Sequence, residues 1–423
     1  MNLQKIILLV LLMSFISCSK KDGITIRGKI HGNFSITDEI EYTTPVNGTW
    51  FYGAKKTVDL DSLGNFIISL KTDVTSFITL YIPNKASAIL LVEPDEKYEI
   101  DFYLNSKDQK VKIKGKSSEA LTLYNSFALP EFYVLSNSNE LLKDSLLATI
   151  SSKITTLKKK EILQFQNYFE NQNVTKDFYD LAELDRKYYY SALETSIAFI
   201  NYKGDFDSNE TQNAIWKGLF GISLPTDSFD IRSPWSFSLI SNYIDFIQSK
   251  DEIDDFDKIR EIYEQGKIHS YNINRAKKYL KGKVLEYYYA TYILSNSYEN
   301  KDNSKELITL FENFKKEYPN SNYTKHLKPQ VQPIIDFHNK IMESTNNKKI
   351  YLVENYKSID TFEELMKTLE GQKVLVDIWG TWCSPCKREF QEKDKSVEFL
   401  KSKKITTLYI CEGKTEKKRY GKK

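Results

Sequence analysis

Two cysteines, Cys383 and Cys386, flank Ser384 and Pro385 near the far end of this 423-residue chain. Ahead of them the run Val-Leu-Val-Asp-Ile-Trp over 374–379 is β-branched and apolar and stops at Gly380; behind them an amphipathic helical pattern begins. That order puts two thiols at the turn between a strand and a helix. Cys383 precedes the helix and Pro385 takes its first position, where proline's fixed φ fits and its missing N–H costs nothing. Unpaired backbone N–H groups and the positive end of the helix dipole then face the Cys383 sulfur and favour its thiolate. Thiols in such motifs titrate at about 3.5 to 7, against about 8.5 when free. Cys383 is therefore the candidate nucleophile. Cys386, one turn inward and more buried, is placed to resolve a mixed disulfide. Thiol-disulfide exchange needs this asymmetry, with one exposed thiolate to attack and a second thiol nearby to displace the product.

Cys-x-x-Cys is also half of a zinc site. No second such pair exists, and His31, His269, His326 and His338 are all remote from it in sequence, so tetrahedral ligation has too few ligands near this turn.

The stretch Val-Asp-Ile-Trp-Gly-Thr-Trp-Cys-Ser-Pro-Cys-Lys over 376–387 resembles the active-site segment of thioredoxins. In its context it looks like the membrane-attached thiol-disulfide oxidoreductases of the TlpA and ResA group. The resemblance covers roughly residues 348 to 411. It matches Cys383 and Cys386 to the redox pair and Trp382 to the tryptophan beside it. Asp377 matches the buried acid that helps move the resolving thiol's proton. A carboxylate in so apolar a strand is expected to have a raised pKa and to exchange protons near neutrality. The resemblance implies a redox-active disulfide between Cys383 and Cys386 with no dissociable cofactor. Its partners would be protein thiols or disulfides and a redox partner protein. Trp379 reads as core packing.

Two features depart from that family. Gln391 stands where a helix-kinking proline is usual, so the helix should run straighter. No proline follows Pro385, whereas the family fold has a later strand preceded by a cis-proline that faces the disulfide. One more strand is expected over 405–410, and the residues after Cys411 are mostly charged. The expectation is a C-terminally truncated, incomplete thioredoxin-like module whose apolar sheet meets water in part.

At the other end, Lys5 gives a short basic start and residues 6–16 an apolar run too short to span a bilayer. The run ends Phe-Ile-Ser-Cys at 15–18, which resembles a bacterial lipoprotein signal that leaves Cys18 lipidated at a new N-terminus. This reading anchors the chain to a bacterial membrane, facing the periplasm. Cys411 is then the one cysteine left over, so no disulfide framework holds the other domains. The formal net charge of +3 is small for this length and implies no nucleic-acid role.

Residues 19–115 alternate with period two, in strands over 24–30, 66–70, 77–82, 88–92, 98–102 and 111–113 separated by Gly-Asn, Pro-Asn and Pro-Asp turns. They read as an antiparallel β domain, a sandwich serving as a spacer. From 116 to 345 the period is helical, with helices expected over 121–127, 141–169, 177–202, 235–249, 257–265, 284–298, 305–318 and 323–342. Leu307, Leu310, Phe311 and Phe314 form one stripe. The Tyr-rich runs 188–190 and 287–289 read as core packing, with a peptide or glycan groove as the sharper alternative.

A polar linker over 343–349 opens the last region, 346–423. A short strand is expected over 350–353. Thr361 and Glu364 form a capping box, followed by an apolar face of Phe362, Leu365, Met366 and Leu369 before Gly371 ends the helix. Behind the redox pair Phe390, Val397 and Leu400 point inward. Strand, helix, strand, helix, strand is an α/β order. The chain thus reads as multidomain, with thiol-disulfide exchange on extracytoplasmic proteins as its function. The alternative is a non-enzymatic surface lipoprotein whose helical domain binds a partner and whose redox module is a remnant.

Overall fold

The computed structural model describes residues 23–35, 39–106, 110–127, 147–200, 214, 218, 229–251, 256–346, 353, 356–380, 386 and 393–412. The signal segment over 1–18 with Cys18, and the charged tail after Glu412, lie outside the described residues. The chain divides into two compact units, Met1–Asn339 and Lys340–Lys423.

The first unit opens with eight strands: β1 (Ile24–His31), β2 (Glu39–Thr43), β3 (Lys55–Asp59), β4 (Asn65–Leu70), β5 (Ser76–Ile82), β6 (Ala86–Val92), β7 (Lys97–Tyr103) and β8 (Val111–Gly115). They form two four-stranded sheets, in the orders β4-β1-β7-β8 and β3-β2-β5-β6. Inward residues of both sheets, among them Ile26, Ile68 and Tyr98 from one and Ile40, Ile78 and Leu90 from the other, make one core. The expected all-antiparallel arrangement is corrected at one place. β1 and β7 run parallel, with Ile26 beside Tyr98 and Ile30 beside Phe102. Period-two alternation is the same in parallel and antiparallel ladders, so the pattern that located both strands carried no direction. On its other side β1 meets β4, where Gly28 stands beside Phe66, and a Cβ there would lie 2.1 Å from the Phe66 ring. Glycine at this point lets the ring lie over the ladder.

The sandwich core continues into helices. From α1 (Ser118–Ser126), α2 (Leu147–Glu170) and α3 (Lys176–Ile200), the side chains Leu121, Tyr124, Phe165, Phe178 and Leu181 join it. Asn125 of α1 caps the outer edge of β6: its Oδ1 accepts from Ile89 N–H and its Nδ2 donates to Ile89 C=O, both at 2.8 Å. One side-chain amide thus takes the place of a neighbouring strand at an exposed edge.

A second core gathers α4 (Ser236–Asp251), α6 (Ile268–Tyr279), α7 (Gly282–Leu294), α8 (Lys305–Glu317) and α9 (Thr324–Asn346) around Tyr287, Ile293, Phe314 and Leu327, with Phe51 and Ala54 from the loop after β2. α5 (Phe256–Glu264) precedes α6, and a π-helical turn, Ser295–Glu299, follows α7. Leu307, Leu310, Phe311 and Phe314 are all buried on α8. Tyr189, Tyr190, Tyr287, Tyr288 and Tyr289 are buried too, so these rings are core, and Tyr289 Oη donates to the Leu310 carbonyl at 3.1 Å.

Beside Tyr124 of the first core, Asp185 and Arg186 of α3 are fully buried side by side. Arg186 Nη2 lies 2.6 Å from Asp185 Oδ2. Tyr124 Oη and Ser233 Oγ donate to the same carboxylate at 2.8 and 2.7 Å.

Candidate active site

The second unit contains the strands and helices that flank the Cys-x-x-Cys turn. Thr361 caps α10 (Phe362–Lys367) by accepting from Glu364 N–H, and Glu364 reaches back to the cap, completing the expected capping box. Gly371 follows at φ +80, a left-handed conformation that turns the chain into the next strand. That strand, β9 (Lys373–Gly380), is the apolar run ahead of the cysteines. α11 (Lys393–Ser402) leads into β10 (Ile405–Glu412), which pairs parallel with β9. Strand, helix and parallel strand make a β-α-β unit, with α11 packed on β10. Of the strand expected over 350–353 only Val353 is described, and it lies outside any strand.

Asp377 is half-buried at the fifth position of β9, three residues ahead of its end. Its partner in the ladder is Tyr409, and Leu408 stands beside Val376. Burial, and then the Asp377 charge, push the Tyr409 hydroxyl above the usual phenol range. Trp379 is half-buried and stands beside Cys411 in the ladder. Beyond Gly380, Cys386 is helical, half-buried and disulfide-bonded. Trp382, Cys383 and Pro385 lie outside the described residues, as do Lys387, Arg388, Glu389, Phe390 and Gln391. The described residues thus hold a carboxylate within β9 and, beyond Gly380, a disulfide-bonded cysteine in helical conformation.

On α11, Val397 and Leu400 are half-buried. Leu375 and Ile378, which point to opposite faces of β9, are 45% and 63% exposed, so apolar surface of this strand meets solvent on both sides. Tyr409 is the neighbour that sequence reasoning missed. It reads as one strand residue among several, and only the register of β10 against β9 sets it beside Asp377.

No family model matches the chain, and no solved structure does. Two proteins of known activity are similar to part of it. The thiol-disulfide oxidoreductase ResA of Bacillus subtilis (strain 168) is 30% identical over 81 residues, which are 19% of this chain and 37% of ResA. The thioredoxin of Thiocapsa roseopersicina is 41% identical over 64 residues, which are 15% of this chain and 68% of that thioredoxin. The chain therefore spans about a third of the first relative's length and two thirds of the second's.

Proposed function

The chain belongs to the thioredoxin family, and we propose that it catalyses thiol-disulfide exchange on extracytoplasmic proteins through Cys383 and Cys386. One observation carries this reading: Cys386 is already held in a disulfide, half-buried in a helix behind the apolar strand β9. Paired with Cys383, from which Ser384 and Pro385 separate it, such a disulfide would be the oxidised end state of the reaction.

In the reducing direction both thiols start free. The Cys383 thiolate attacks one sulfur of a substrate disulfide, a new S–S bond forms, and the other substrate sulfur leaves as a thiolate. Cys386 then loses its proton and attacks the Cys383 sulfur. The mixed disulfide breaks, the second substrate sulfur leaves, and Cys383–Cys386 is the oxidised product. Two electrons pass from the pair to the substrate. A dithiol redox partner restores the pair, and the oxidising direction runs the same steps backwards. Asp377 accepts the Cys386 proton, from a strand that leads straight into the turn. By the resemblance to thioredoxins, Trp382 is assigned a place beside the nucleophile and Pro385 the start of a helix whose N-terminus would favour the thiolate.

The compartment belongs to the same proposal. A lipid on Cys18 would hold the chain on a bacterial membrane with the redox unit facing the periplasm. Among the described residues no helix is long and apolar enough to cross a membrane.

Insulin reduction by the full chain, coupled to dithiothreitol, tests the activity. Turnover that disappears in Cys383→Ser supports the proposal, whereas equal rates for the chain and for this variant defeat it.

A further inference from the structure

A groove lies between α1 and α2 in the first unit, built of two adjoining cavities of about 410 and 310 Å³ that share Glu119, Leu123 and Tyr168. Ile113 and the exposed side of α1 line the first cavity. The second is lined by Gln164, Asn167, Asn171 and Asn173, from the end of α2 and the turn after it. The backbone of this turn is already occupied: Asn171 N–H donates to Asn167 C=O at 3.0 Å and Asn173 N–H to Tyr168 C=O at 2.9 Å. The polar side chains of the groove reach solvent, with Glu119, Asn167, Asn171 and Asn173 exposed and Gln164 half-buried. Among the described residues, Glu119, Gln164, Asn167, Tyr168, Asn171 and Asn173 make no side-chain hydrogen bond to the protein. Gln166, outside the groove, does pair within the helix, donating to Glu170 at 2.7 Å.

The composition of the groove selects a ligand class. Each carboxamide offers two N–H donors and a carbonyl acceptor, and the Glu119 carboxylate offers acceptors alone. Tyr168 is half-buried against the sandwich core, which fixes its ring as a flat apolar wall. No lysine or arginine lines either cavity, so an anion has no counter-charge. One carboxylate leaves a divalent cation's charge only half balanced, and among the described residues no group of three His, Cys, Asp or Glu side chains is placed to hold a metal. The apolar surface is confined to Ile113, Leu123 and the Tyr168 ring, too little to cover an acyl chain. A ligand dense in hydroxyls, with C–H faces between them, fits each of these features. Neighbouring hydroxyls pair with amides and carboxylate, and a C–H face stacks on the tyrosine. Both cavity volumes lie in the range of ligand sites, about 300–1,000 Å³. We propose that this groove binds a neutral oligosaccharide.

Titration calorimetry of the full chain tests this with soluble glucose-, mannose-, xylose- and N-acetylglucosamine-based oligosaccharides as probes. Saturable binding of at least one probe is expected. Tyr168→Ala should weaken it about tenfold or more, and Tyr168→Phe, which keeps the ring, should weaken it far less. Tyr168 also touches the core, so the exposed pair Asn167→Ala with Asn171→Ala serves as the variant that leaves the fold intact, and it too should weaken binding about tenfold. Absence of heat with every probe, or affinity unchanged in the Asn167→Ala, Asn171→Ala variant, overturns the assignment.

Discussion

Asp377 and Tyr409 stand side by side on the parallel strands β9 and β10, and the carboxylate helps to hold the neighbouring phenol in its neutral form. The group assigned to proton transfer therefore faces a neutral hydroxyl across the ladder. Asp377→Asn keeps the shape and removes the base. It is expected to slow the second step of exchange, release of the mixed disulfide, by about tenfold or more, while the first attack by Cys383 keeps its rate. Stopped-flow reduction of a fluorescent disulfide substrate resolves the two steps. Equal slowing of both would take proton transfer away from Asp377.

The two sulfurs have unequal roles in the proposal, and single variants separate them. Cys386→Ser should accumulate mixed disulfides with extracytoplasmic proteins, because the attack proceeds and its resolution does not. Cys383→Ser should trap none. Non-reducing gels of tagged variants read this directly, and like behaviour of the two variants would reverse or dissolve the assignment. The alkylation rate of Cys383 in the reduced chain should follow a pKa below about 8.5, the value for a free thiol.

The proposed membrane attachment rests on Cys18. Mass spectrometry of the mature N-terminus is expected to find a diacylglyceryl-cysteine at this position. A single acyl chain binds a bilayer only marginally, so the two chains of the diacylglyceryl group are what would make the attachment stable. A mature N-terminus at any other residue defeats the lipoprotein reading.

Arg186 is 1% exposed and rests on Asp185, which is itself at 0%. The Tyr124 and Tyr189 rings each lie 4.9 Å from its guanidinium carbon. Asp185→Ala would strand this cation without a carboxylate in direct contact except Glu161, 3.4 Å away. Breaking such a buried pair costs about 3–5 kcal/mol, so the variant should lose that much stability in urea unfolding. Replacing both members, Asp185→Leu with Arg186→Met, should cost less than the single change. A double variant less stable than Asp185→Ala would show that the pair contributes more than its own desolvation.

Much of this architecture is legible in the chain, and what was not has physical reasons. The α8 stripe and the Thr361 capping box are local patterns, and both are found as read. β2 and β3 escaped notice because Glu-Ile-Glu-Tyr-Thr and Lys-Lys-Thr-Val-Asp are mostly polar, and β3 is an edge strand with little to bury. Helix α6 buries His269, Ile273 and Ala276 at helical spacing, but the first of these is polar and the stripe is thin. The neighbours of Asp377, and the meeting of Glu119 with the amides of α2, depend on register and packing between separate elements. Such relations leave no trace in spacing along one segment.

His326 gives the chain a built-in sensitivity to acid. It is half-buried on α9, with its ring 6.3 Å from that of Phe51. Burial first, and then the Lys325 and Lys56 charges, push its imidazole down to about 4 from an ordinary 6.5. The folded chain therefore keeps this ring neutral where the unfolded chain already takes up a proton. With a depressed folded pKa, the contribution to stability is fully present above about pH 6.5 and is lost progressively as pH falls towards about 4. His326→Gln keeps a polar side chain of similar size and removes the titration. Urea midpoints measured across that window should fall more steeply for the parent chain than for the variant, and the two curves should run parallel above about pH 7. Parallel curves throughout the acid window would show that His326 is protonated in the fold as readily as in the open chain.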